Sequence, residues 1–377
     1  MKFRELSFEE ILGRSPIQPD LGLMEKDIAD RTVLVTGAGG SIGSELCRRI
    51  LQNNPKVLVL CEISEVALYL ILEELEEYCH TNQLDVQIEI TLTNLLDLFQ
   101  LKNIFRTFTP DVVYHAAAYK HVPIVERNIW SSLNNNVVGT MNLVECVHNQ
   151  AVRKFVLISS DKAVRPTNIM GASKRIAELL VQAYSKFSEC TFCIVRFGNV
   201  IGSSGSVVPK FYNQIRSGGP VTLTHDKMRR YFMTPHEAAS LVIQAGAMSK
   251  GGEVFLLDMG KEIRIKELAI NMIYSMGYSY NEIETKKKNI KIVVTGLRPG
   301  EKLYEEMFLG SNVQATAHDK IFCALESSFE LPFLQKVINE IMENASQGNE
   351  HKLKLGIAEI VEGYSVEQVL DDPIFSQ

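Results

Sequence analysis

An α/β fold, with a doubly wound parallel sheet and a smaller C-terminal α/β domain, is predicted by three features of the sequence. Apolar runs of four to seven residues alternate with helical patterns from about residue 32 to residue 260. The early runs are followed by glycines, small residues or polar residues, as at the carboxyl ends of parallel strands. The length of 377 residues fits two domains, or one large unit with insertions.

The composition excludes several classes of protein. Hydrophobic residues make up 46% of the chain and charged residues 22%, which is typical of a globular protein with a sizeable core. A net charge of -6 leaves no basic surface for nucleic acid or for an acidic membrane. No apolar run approaches the roughly 18 residues of a membrane span.

The seven cysteines indicate a reducing compartment. They are scattered through apolar segments, and we expect no signal peptide and a cytoplasmic location. Only Cys190 and Cys193 form a CxxC pair, without a second pair or histidines at ligand spacing. Core packing is therefore favoured over zinc or redox chemistry, and no metal site is predicted.

A dinucleotide-binding turn is predicted after a lead segment, residues 1–30, in which residues 6–12 could form a short helix. The apolar strand 32–36 is followed by GAGGSIG (residues 37–43) and a helix. Glycines permit the tight turn and a close approach to a pyrophosphate, which the helix N-terminus attracts. The strand 57–61 ends at Glu62, an acid 19 residues past Gly43, as expected of one that holds a ribose diol. A Rossmann-type domain that binds NAD is predicted, since this carboxylate would repel the 2′-phosphate of NADP; a structural glycine turn is the alternative.

The alternation of strands and helices continues to residue 149. Helices are predicted at 65–79, 98–108 and 130–149, and strands at 86–92 and 112–115. The alanines at residues 116–118 let a cofactor lie close to the backbone. His115 and His121 lack the spacing of a metal pair, and we assign His115 to packing. A buried Asn136 is expected to hold backbone groups near the site.

The stretch 159–174 is predicted to carry the chemistry. It follows the buried strand 155–158 and leads into a helix at residues 172–187. Ser160, Asp161 and Lys162 therefore lie at the carboxyl end of a strand, where α/β folds bind ligands. Met170 and Lys174 stand four residues apart and share a helix face. A hydroxyl, a carboxylate and two amines would meet in one cleft; a solvated loop before a surface helix is the alternative.

The second half of the chain changes character at the glycine- and serine-rich residues 201–206. Strands are predicted at 191–197, 253–258 and 290–295, and helices at 331–345 and 365–370. Thr234, Pro235 and Glu237 form a capping box, which makes His236 a helix-start residue rather than a ligand. We predict a cofactor domain at 31–200 with 229–260, and a second domain at 201–228 and 261–377.

Six motifs together resemble one family. They are TGAGGSIGSE from Thr36, HAAAYKHVP from His115, SSDKAVRPTNIMGASKRIAE from Ser159, RFGNVIGSSGSVVP from Arg196, RRYFMT from Arg229 and GLRPGEKLYEEM from Gly296. They resemble extended short-chain dehydrogenase/reductases of the polysaccharide-biosynthesis branch, and within it the UDP-N-acetylglucosamine 4,6-dehydratases. Residues 8–14, FEEILGR, are similar to a linker that joins the soluble domain of larger members to a membrane-spanning region. Membrane association is expected if such a region precedes this chain.

The resemblance implies which residues form the site. Cofactor contacts are implied for Gly37, Gly40, Ser41, Ile42, Gly43, Glu62, Asn94, Leu95, Ala116, Ala117, Ala118 and Lys174. Contacts with a UDP-N-acetylhexosamine are implied for Lys120, His121, Asn199, Val208, Arg230, Arg298 and Glu301. The family resemblance also implies a homo-oligomer, at least a dimer, paired through helices 130–149 and 172–187.

Three positions depart from the usual pattern of the superfamily. Met170 stands where the catalytic tyrosine of a Tyr-x-x-x-Lys pair is expected, with Lys174 in place. A thioether cannot take a proton, and larger members of this branch also carry methionine there. Asn94 replaces an aspartate at the adenine edge, and Ser160 replaces a threonine while keeping the hydroxyl.

For this family the resemblance implies dehydration without net redox change. Hydride leaves C4 of the sugar for NAD, a base removes the C5 hydrogen, the C6 hydroxyl leaves as water, and hydride returns to C6. Lys162 is the candidate C5 base, because burial and the nearby Lys174 would favour its neutral form. Asp161 is the candidate acid for the C6 hydroxyl. Asp161, Lys162 or a water held by Ser160 could take the C4 hydroxyl proton.

The remaining roles concern the nucleotide. Arg230 and Arg298 can offer bidentate forks to the diphosphate. Asn199 fits the diphosphate or the acetamido group, Glu301 the uridine ribose, and Lys174 the nicotinamide ribose. Two other functions stay open, namely a UDP-N-acetylhexosamine 4-epimerase, which needs no C5 base, and a non-catalytic sensor of NAD or a nucleotide sugar.

Overall fold

The computed structural model describes residues 12–280, 289–306, 313–324, 326 and 328–364. The helix predicted at 365–370 and nearly all of that predicted at 6–12 lie outside these residues. The strands are β1 (Thr32–Thr36), β2 (Val57–Glu62), β3 (Gln87–Leu92), β4 (Val112–His115), β5 (Lys154–Ile158), β6 (Thr191–Arg196), β7 (Asn199–Val200), β8 (Val221–Leu223), β9 (Arg229–Arg230), β10 (Phe232–Met233), β11 (Val254–Leu257), β12 (Ile263–Arg264), β13 (Ile292–Val294), β14 (Val313–Ala315) and β15 (Ile321–Ala324).

The helices alternate with the strands through the first half of the chain. They are α1 (Leu21–Glu25), α2 (Gly43–Leu51), α3 (Glu65–Asn82), α4 (Leu98–Phe108), α5 (Val122–Val125), α6 (Ile129–Leu133), α7 (Gly139–Asn149), α8 (Ile169–Ser185), α9 (Val207–Arg216), α10 (Pro235–Met248), α11 (Ile265–Ser275), α12 (Leu331–Ser346) and α13 (Glu350–Ile360). A π-helical turn, Asn134–Val138, joins α6 to α7. Among the described residues, no helix is both long and apolar enough to span a bilayer.

The predicted doubly wound sheet is confirmed. Nine strands pair in the order β14-β15-β11-β6-β5-β4-β1-β2-β3, and all from β11 to β3 run parallel. Strands β1, β4, β5 and β6 are almost wholly buried, as their continuous valine, leucine and isoleucine runs require when both faces are covered. Helices α2, α3 and α10 pack on one face, and α4, α7 and α8 on the other.

A second, smaller hydrophobic core lies beyond the carboxyl ends of these strands. Phe211 and Ile215 of α9 pack there against Leu268 and Met272 of α11. Strand β8 pairs in parallel with β13, and β9 pairs antiparallel with β12. This unit faces the strand ends that the sequence predicts to bind ligands.

The lead segment packs on the cofactor domain, although a separate segment was expected. Arg14 forms an ion pair with Glu237, and the Asp20 backbone N–H donates to Gln244 Oε1 at 2.8 Å. Met24 and Ile28 are buried in the core beside α10. Glu237 of the capping box therefore also anchors the start of the described chain.

The predicted boundaries also misplaced part of the C-terminal region. Strands β14 and β15 extend the main sheet antiparallel to β11, rather than joining the second core. These runs are short, and an antiparallel edge strand leaves no distinctive hydrophobic period in the sequence. Helices α12 and α13 form a hairpin that packs on α8 of the cofactor domain.

This helical hairpin occupies the face predicted to pair with a second subunit. Every residue of α8 from Ile169 to Tyr184 is buried, and Leu334, Ile338 and Ile357 of the hairpin lie in the same cluster. The predicted subunit contact through this helix is therefore wrong, because the chain covers the helix itself. The expected oligomer stays a prediction.

Replacing Leu334 by alanine should lower the free energy of unfolding by about 2–5 kcal/mol, because its fully buried side chain fills the space between α12 and α8. Urea denaturation followed by circular dichroism measures the change. Lys336→Ala, on the exposed side of the same helix, should stay within about 0.5 kcal/mol of the unmodified protein. Equal midpoints for both variants would contradict the assigned packing.

Candidate active site

Two adjoining cavities lie at the carboxyl ends of the central strands. The larger, of about 420 Å³, extends from the glycine turn to Met170 and Lys174. The smaller, of about 200 Å³, is lined by Arg230 and the segment 298–302. Both are lined by Lys120, His121, Lys162 and Asn199. They form one cleft with Lys162 at its junction.

The glycine turn has the geometry that a dinucleotide site needs. Gly37 has φ +66°, and a Cβ on Gly43 would lie 1.9 Å from the Gly37 carbonyl oxygen. Helix α2 begins at Gly43, so the free backbone N–H groups of its first turn lie next to the glycine turn. Gly40, Ser41, Ile42 and Gly43 line the larger cavity. Larger residues at 37 and 43 would open the turn.

Glu62 is fixed beside that turn by three backbone N–H groups. Gly39 donates to Oε2 at 3.0 Å, while Ile63 and Ser64 donate to Oε1 at 2.9 and 3.0 Å. The carboxylate is therefore preorganised at the end of β2, where the sequence predicts it. Ser41 Oγ accepts the Ser204 N–H at 3.2 Å, which brings the loop 201–206 across the turn.

The other residues implied at the cofactor end lie in different settings. Ala116 and Ala118 line the larger cavity, whereas Ala117 packs behind Gly37. Asn94 is exposed, and its carboxamide oxygen accepts the Leu96 N–H at 3.0 Å. Leu95 is buried against α7, and its carbonyl accepts from Asn142.

Asp161 and Lys162 are hydrogen-bonded to each other, but only Lys162 lines the two cavities, whereas Asp161 is 1% exposed and lines neither. Ser160 begins a short 3-10 turn, and Asp161 Oδ1 accepts hydrogen bonds from Ser160 Oγ and Lys162 Nζ, each at 2.9 Å. Asp161 Oδ2 is buried and has no hydrogen-bond partner among the described residues. Lys162 Nζ also donates to Asn199 Oδ1 at 3.2 Å and lies 3.5 Å from Glu305 Oε1.

These contacts reverse the charge expected for Lys162. Burial by itself would lower the pKa of the lysine, but Asp161 and Glu305 outweigh it and the pKa is raised. Lys162 is therefore an ammonium, in contrast to the neutral amine expected from the sequence. Lys174 is not among the charges that shift the pKa of Lys162, and its Nζ donates to the Ile158 carbonyl at 2.9 Å.

Met170 and Lys174 share the predicted helix face. Both line the larger cavity, and Met170 is only 2% exposed. Burial lowers the pKa of Lys174 to about 8, although Glu178 partly opposes it. Helix α8 begins three residues earlier than predicted because Asn168 Oδ1 caps it by accepting the Gly171 N–H at 2.8 Å.

Sequence reasoning missed a buried ion-pair network behind this helix. Arg196 donates to both carboxylate oxygens of Glu178, at 2.7 and 2.6 Å, and to both of Glu326, at 2.6 and 2.9 Å. Arg175 joins both acids, and Ser159 Oγ donates to Glu178 at 2.6 Å. Burial would raise the pKa of Glu178, but the two arginines hold it at about 2. Arg175 and Glu178 are three residues apart on one helix, but Arg196 and Glu326 are too far from them in sequence for a local pattern to indicate the network.

The two histidines and Asn136 lie as predicted. His115 is buried between the Thr36 and Thr140 hydroxyls, at 2.7 and 2.9 Å, and burial lowers its pKa to about 3. Asn136 in the π-helical turn accepts the Tyr119 N–H at 2.8 Å and donates to the Tyr119 carbonyl at 3.0 Å. It thereby holds the backbone before Lys120 and His121. Burial lowers the pKa of both Lys120 and His121.

The residues that the family resemblance implies for nucleotide binding lie in three different environments. Arg230 is buried and donates to the carbonyls of Lys302 and Leu303 at 2.6 and 3.1 Å. Arg298 is exposed at the cavity edge. Glu301 lines the smaller cavity and accepts from Thr224 Oγ1 at 3.2 Å.

Two positions differ from the predicted set of substrate-binding residues. Val208 packs against the second core, and Val207 lines the larger cavity instead. Glu305, which sequence reasoning did not select, lines the smaller cavity beside Lys162. The two adjacent acids of GEKLYEE (residues 300–306) are visible in the sequence, but nothing there indicates that one of them contacts Lys162.

The lowered pKa of Lys174 predicts that this residue contributes stability that grows with pH. Between about pH 8 and pH 10.5 the unfolded chain holds the Lys174 proton that the folded chain has lost, whereas the buried thiols of Cys47 and Cys61, whose pKa is raised, contribute in the opposite direction. The Lys174 contribution increases by about 2 kcal/mol between pH 7.5 and pH 9.5. The difference in free energy of unfolding between the unmodified protein and Lys174→Met should grow by this amount, whereas the difference for Lys336→Ala should stay constant. Parallel urea titrations measure the difference, and identical slopes for Lys174→Met and the unmodified protein would contradict it.

Comparison with known proteins gives the relationship of the chain. A family model described as polysaccharide biosynthesis protein matches residues 33–326. The capsular polysaccharide biosynthesis protein CapD of Staphylococcus aureus is 42% identical over 347 residues, which cover 91% of this chain and 56% of CapD. The probable polysaccharide biosynthesis protein EpsC of Bacillus subtilis is 43% identical over 349 residues, which cover 91% of this chain and 56% of EpsC. The chain thus spans about half the length of these curated relatives.

Among solved structures, Pen from Bacillus thuringiensis superposes with a TM-score of 0.71 at 34% sequence identity. The match covers 81% of this chain and 92% of Pen. The family model extends from the second residue of β1 to Glu326, whose side chain is part of the buried ion-pair network. The chain belongs to the polysaccharide biosynthesis protein family of extended short-chain dehydrogenase/reductases.

Proposed function

We propose that this chain is an NAD-dependent lyase that converts UDP-N-acetylglucosamine to a UDP-4-keto-6-deoxy-N-acetylhexosamine for the synthesis of bacterial surface polysaccharide. One observation carries the proposal. Lys162 lies at the junction of the two cavities and is hydrogen-bonded to Asp161 behind it, while the position of the usual tyrosine holds the inert Met170. A carboxylate and an amine fit an elimination, which needs both an acid and a base.

The larger cavity fits a nicotinamide dinucleotide. The turn at Gly37 and Gly43 leaves room for a pyrophosphate, Glu62 would accept the adenosine ribose hydroxyls, and Lys174 would hold the nicotinamide ribose. A nicotinamide held there would supply the hydride transfer that the elimination needs at C4 and C6 of the sugar. The Glu62 carboxylate favours NAD, because a 2′-phosphate would bring like charges together.

The smaller cavity fits the nucleotide sugar. Lys120, Arg298 and Lys302 line it and would balance the charge of a diphosphate. Asn199 lies on both cavities and could orient the acetamido group, with Glu301 toward the uridine ribose. The sugar ring would then span the junction between them, where Lys162 lies.

The two side chains would divide the proton transfers. The Asp161 carboxylate would take the C4 hydroxyl proton through Ser160 Oγ, which lines the larger cavity and donates to Asp161 Oδ1 at 2.9 Å, and would later give it to the C6 hydroxyl, which leaves as water. Lys162 would remove the C5 proton and, as an ammonium that also carries solvent-derived protons, would give one proton to C5 when C6 is reduced. Both side chains thus end in their starting protonation states, and Lys162 must become neutral before it acts.

The 4-epimerase is the second candidate, and one observation favours it. The raised pKa of Lys162 keeps it protonated, which would suit a reaction that needs no C5 base. A sensor function would follow if Met170 had ended catalysis altogether.

Incubation of the protein with UDP-N-acetylglucosamine should separate the three functions by proton NMR of the product. We expect a new C6 methyl signal, because the elimination removes the C6 hydroxyl and hydride then reaches C6. A product with changed C4 configuration and an intact C6 hydroxymethyl group would establish the epimerase, and unchanged substrate the sensor.

Lys162→Ala should lower the incorporation of solvent deuterium at C5 by about 100-fold or more, because it removes the group that takes the C5 proton. Mass spectrometry of the nucleotide sugar after reaction in D₂O measures the label. Lys336→Ala, a matched change on the helical hairpin, should leave incorporation unchanged. Persistence of C5 exchange in Lys162→Ala would remove the assigned base.

A further inference from the structure

We propose that Glu305 is a positioning residue that holds Lys162 in the cleft and takes its proton before the elimination begins. This inference rests on the proposed dehydratase function. Glu305 Oε1 lies 3.5 Å from Lys162 Nζ and 3.6 Å from Arg230 Nε. Its side chain is 4% exposed and borders the smaller cavity. A buried carboxylate in contact with the candidate base is more than a surface ion pair.

Three acceptors from three segments surround the lysine. Asp161 Oδ1 comes from the turn after β5, Asn199 Oδ1 from β7, and Glu305 Oε1 from the segment beyond β13. Because an ammonium has three N–H donors, this arrangement of acceptors favours the cationic form of Lys162. A lone pair for the C5 hydrogen appears only when one of these protons leaves.

Glu305 is the acceptor that remains for that proton. Asp161 is committed to the C4 hydroxyl proton, and the amide oxygen of Asn199 is not basic. Transfer breaks one N–H bond of Lys162 and forms one O–H bond on Glu305, which leaves a neutral amine beside a neutral acid. Substrate that covers the cleft excludes water, and a neutral pair is then favoured over a buried ion pair. The proton returns to Lys162 after the reaction.

The backbone around Glu305 explains how it stays in place. Arg230 donates to the carbonyls of Lys302 and Leu303, which immediately precede it. Thr167 Oγ1 donates to the Gly300 carbonyl at 2.8 Å, and Lys302 Nζ to the Val164 carbonyl at 2.9 Å. These bonds fasten the segment to the loop that follows Lys162.

The charges around Lys162 can be named completely from the packed segments. Asp161, Glu305 and Arg230 act on it directly. The other charged or titratable side chains that line the two cavities are Lys120, His121, Lys174, Arg298, Glu301 and Lys302. Within the part of the chain that the structure describes, the carboxylates in contact with Lys162 are those of Asp161 and Glu305, so removal of Glu305 should be visible in its titration.

The test is the pH dependence of deuterium incorporation at C5, measured for the holoenzyme with UDP-N-acetylglucosamine in D₂O. Glu305→Gln keeps the size of the side chain but removes the negative charge and the proton acceptor. The midpoint of the pH profile should move toward acid by about one unit or more, because Lys162 loses a stabilising anion. The plateau rate should also fall by about tenfold or more.

Glu306→Gln is the matched control. Glu306 is the next residue, but it pairs with Arg165 and Lys302 at the surface, and its side chain is 43% exposed. Its pH midpoint and plateau should equal those of the unmodified enzyme. Thermal melting and bound-cofactor content confirm that each variant is folded.

The outcomes separate the two proposals. A folded Glu305→Gln enzyme with an unchanged midpoint overturns the inference and leaves the dehydratase intact. Absence of a C6 methyl product from the unmodified enzyme overturns the proposed function itself. If Glu305→Gln does not fold, Glu305→Asp decides: its carboxylate withdraws from Lys162 Nζ, so the plateau should fall at least threefold, and an unchanged plateau contradicts the inference.

Discussion

The buried pairing of Arg196 with Glu178 sets the position of the cleft. Arg196 is fully buried and bonds to Glu178 on α8 and to Glu326 beyond β15. Removing one partner of a buried ion pair leaves an uncompensated charge and costs about 3–5 kcal/mol of stability, so Arg196 and its carboxylate partners must be buried together. Glu178 lies one helical turn from Lys174, and this ion pair therefore also fixes the position of Lys174 relative to the end of β5. Ser159 Oγ, which donates to Glu178, ties that strand end to the helix.

Two glycines allow the backbone segments of the site to pack closely against each other. A Cβ on Gly171 would lie 2.2 Å from the Lys162 carbonyl oxygen, and one on Gly198 would lie 3.1 Å from Asp161 Oδ2. The Asp161 N–H donates to the Phe197 carbonyl, which joins the ends of β5 and β6. Side chains at these two glycines would push the candidate acid and base out of the cleft. The helical hairpin of α12 and α13 supports the same helix from behind.

Sequence reasoning reached the parts of this site that depend on local patterns. The glycine turn, Glu62, the Asp161–Lys162 pair and the Met170–Lys174 face each follow from residues close together along the chain. It could not identify Glu326 or Glu305, because their partners, Arg196 and Lys162, lie 130 and 143 residues away along the chain. The same limit explains the wrong charge on Lys162, since burial was apparent from the strand beside it and the second carboxylate was not. It also explains β14, β15 and the covered face of α8.

The charges at the junction constrain how a nucleotide sugar can bind. Lys162 and Arg230 face Asp161 and Glu305, so the four formal charges cancel within the cluster. Arg230 donates to two backbone carbonyls and pairs with Glu305. In the proposed complex, the charge of a diphosphate would be balanced by the outer cations, Lys120, Arg298 and Lys302, which line the smaller cavity, although Lys302 Nζ also donates to the Val164 carbonyl. This arrangement separates binding from proton transfer: the outer cations attract the nucleotide, while the balanced cluster can redistribute its protons without a change in net charge.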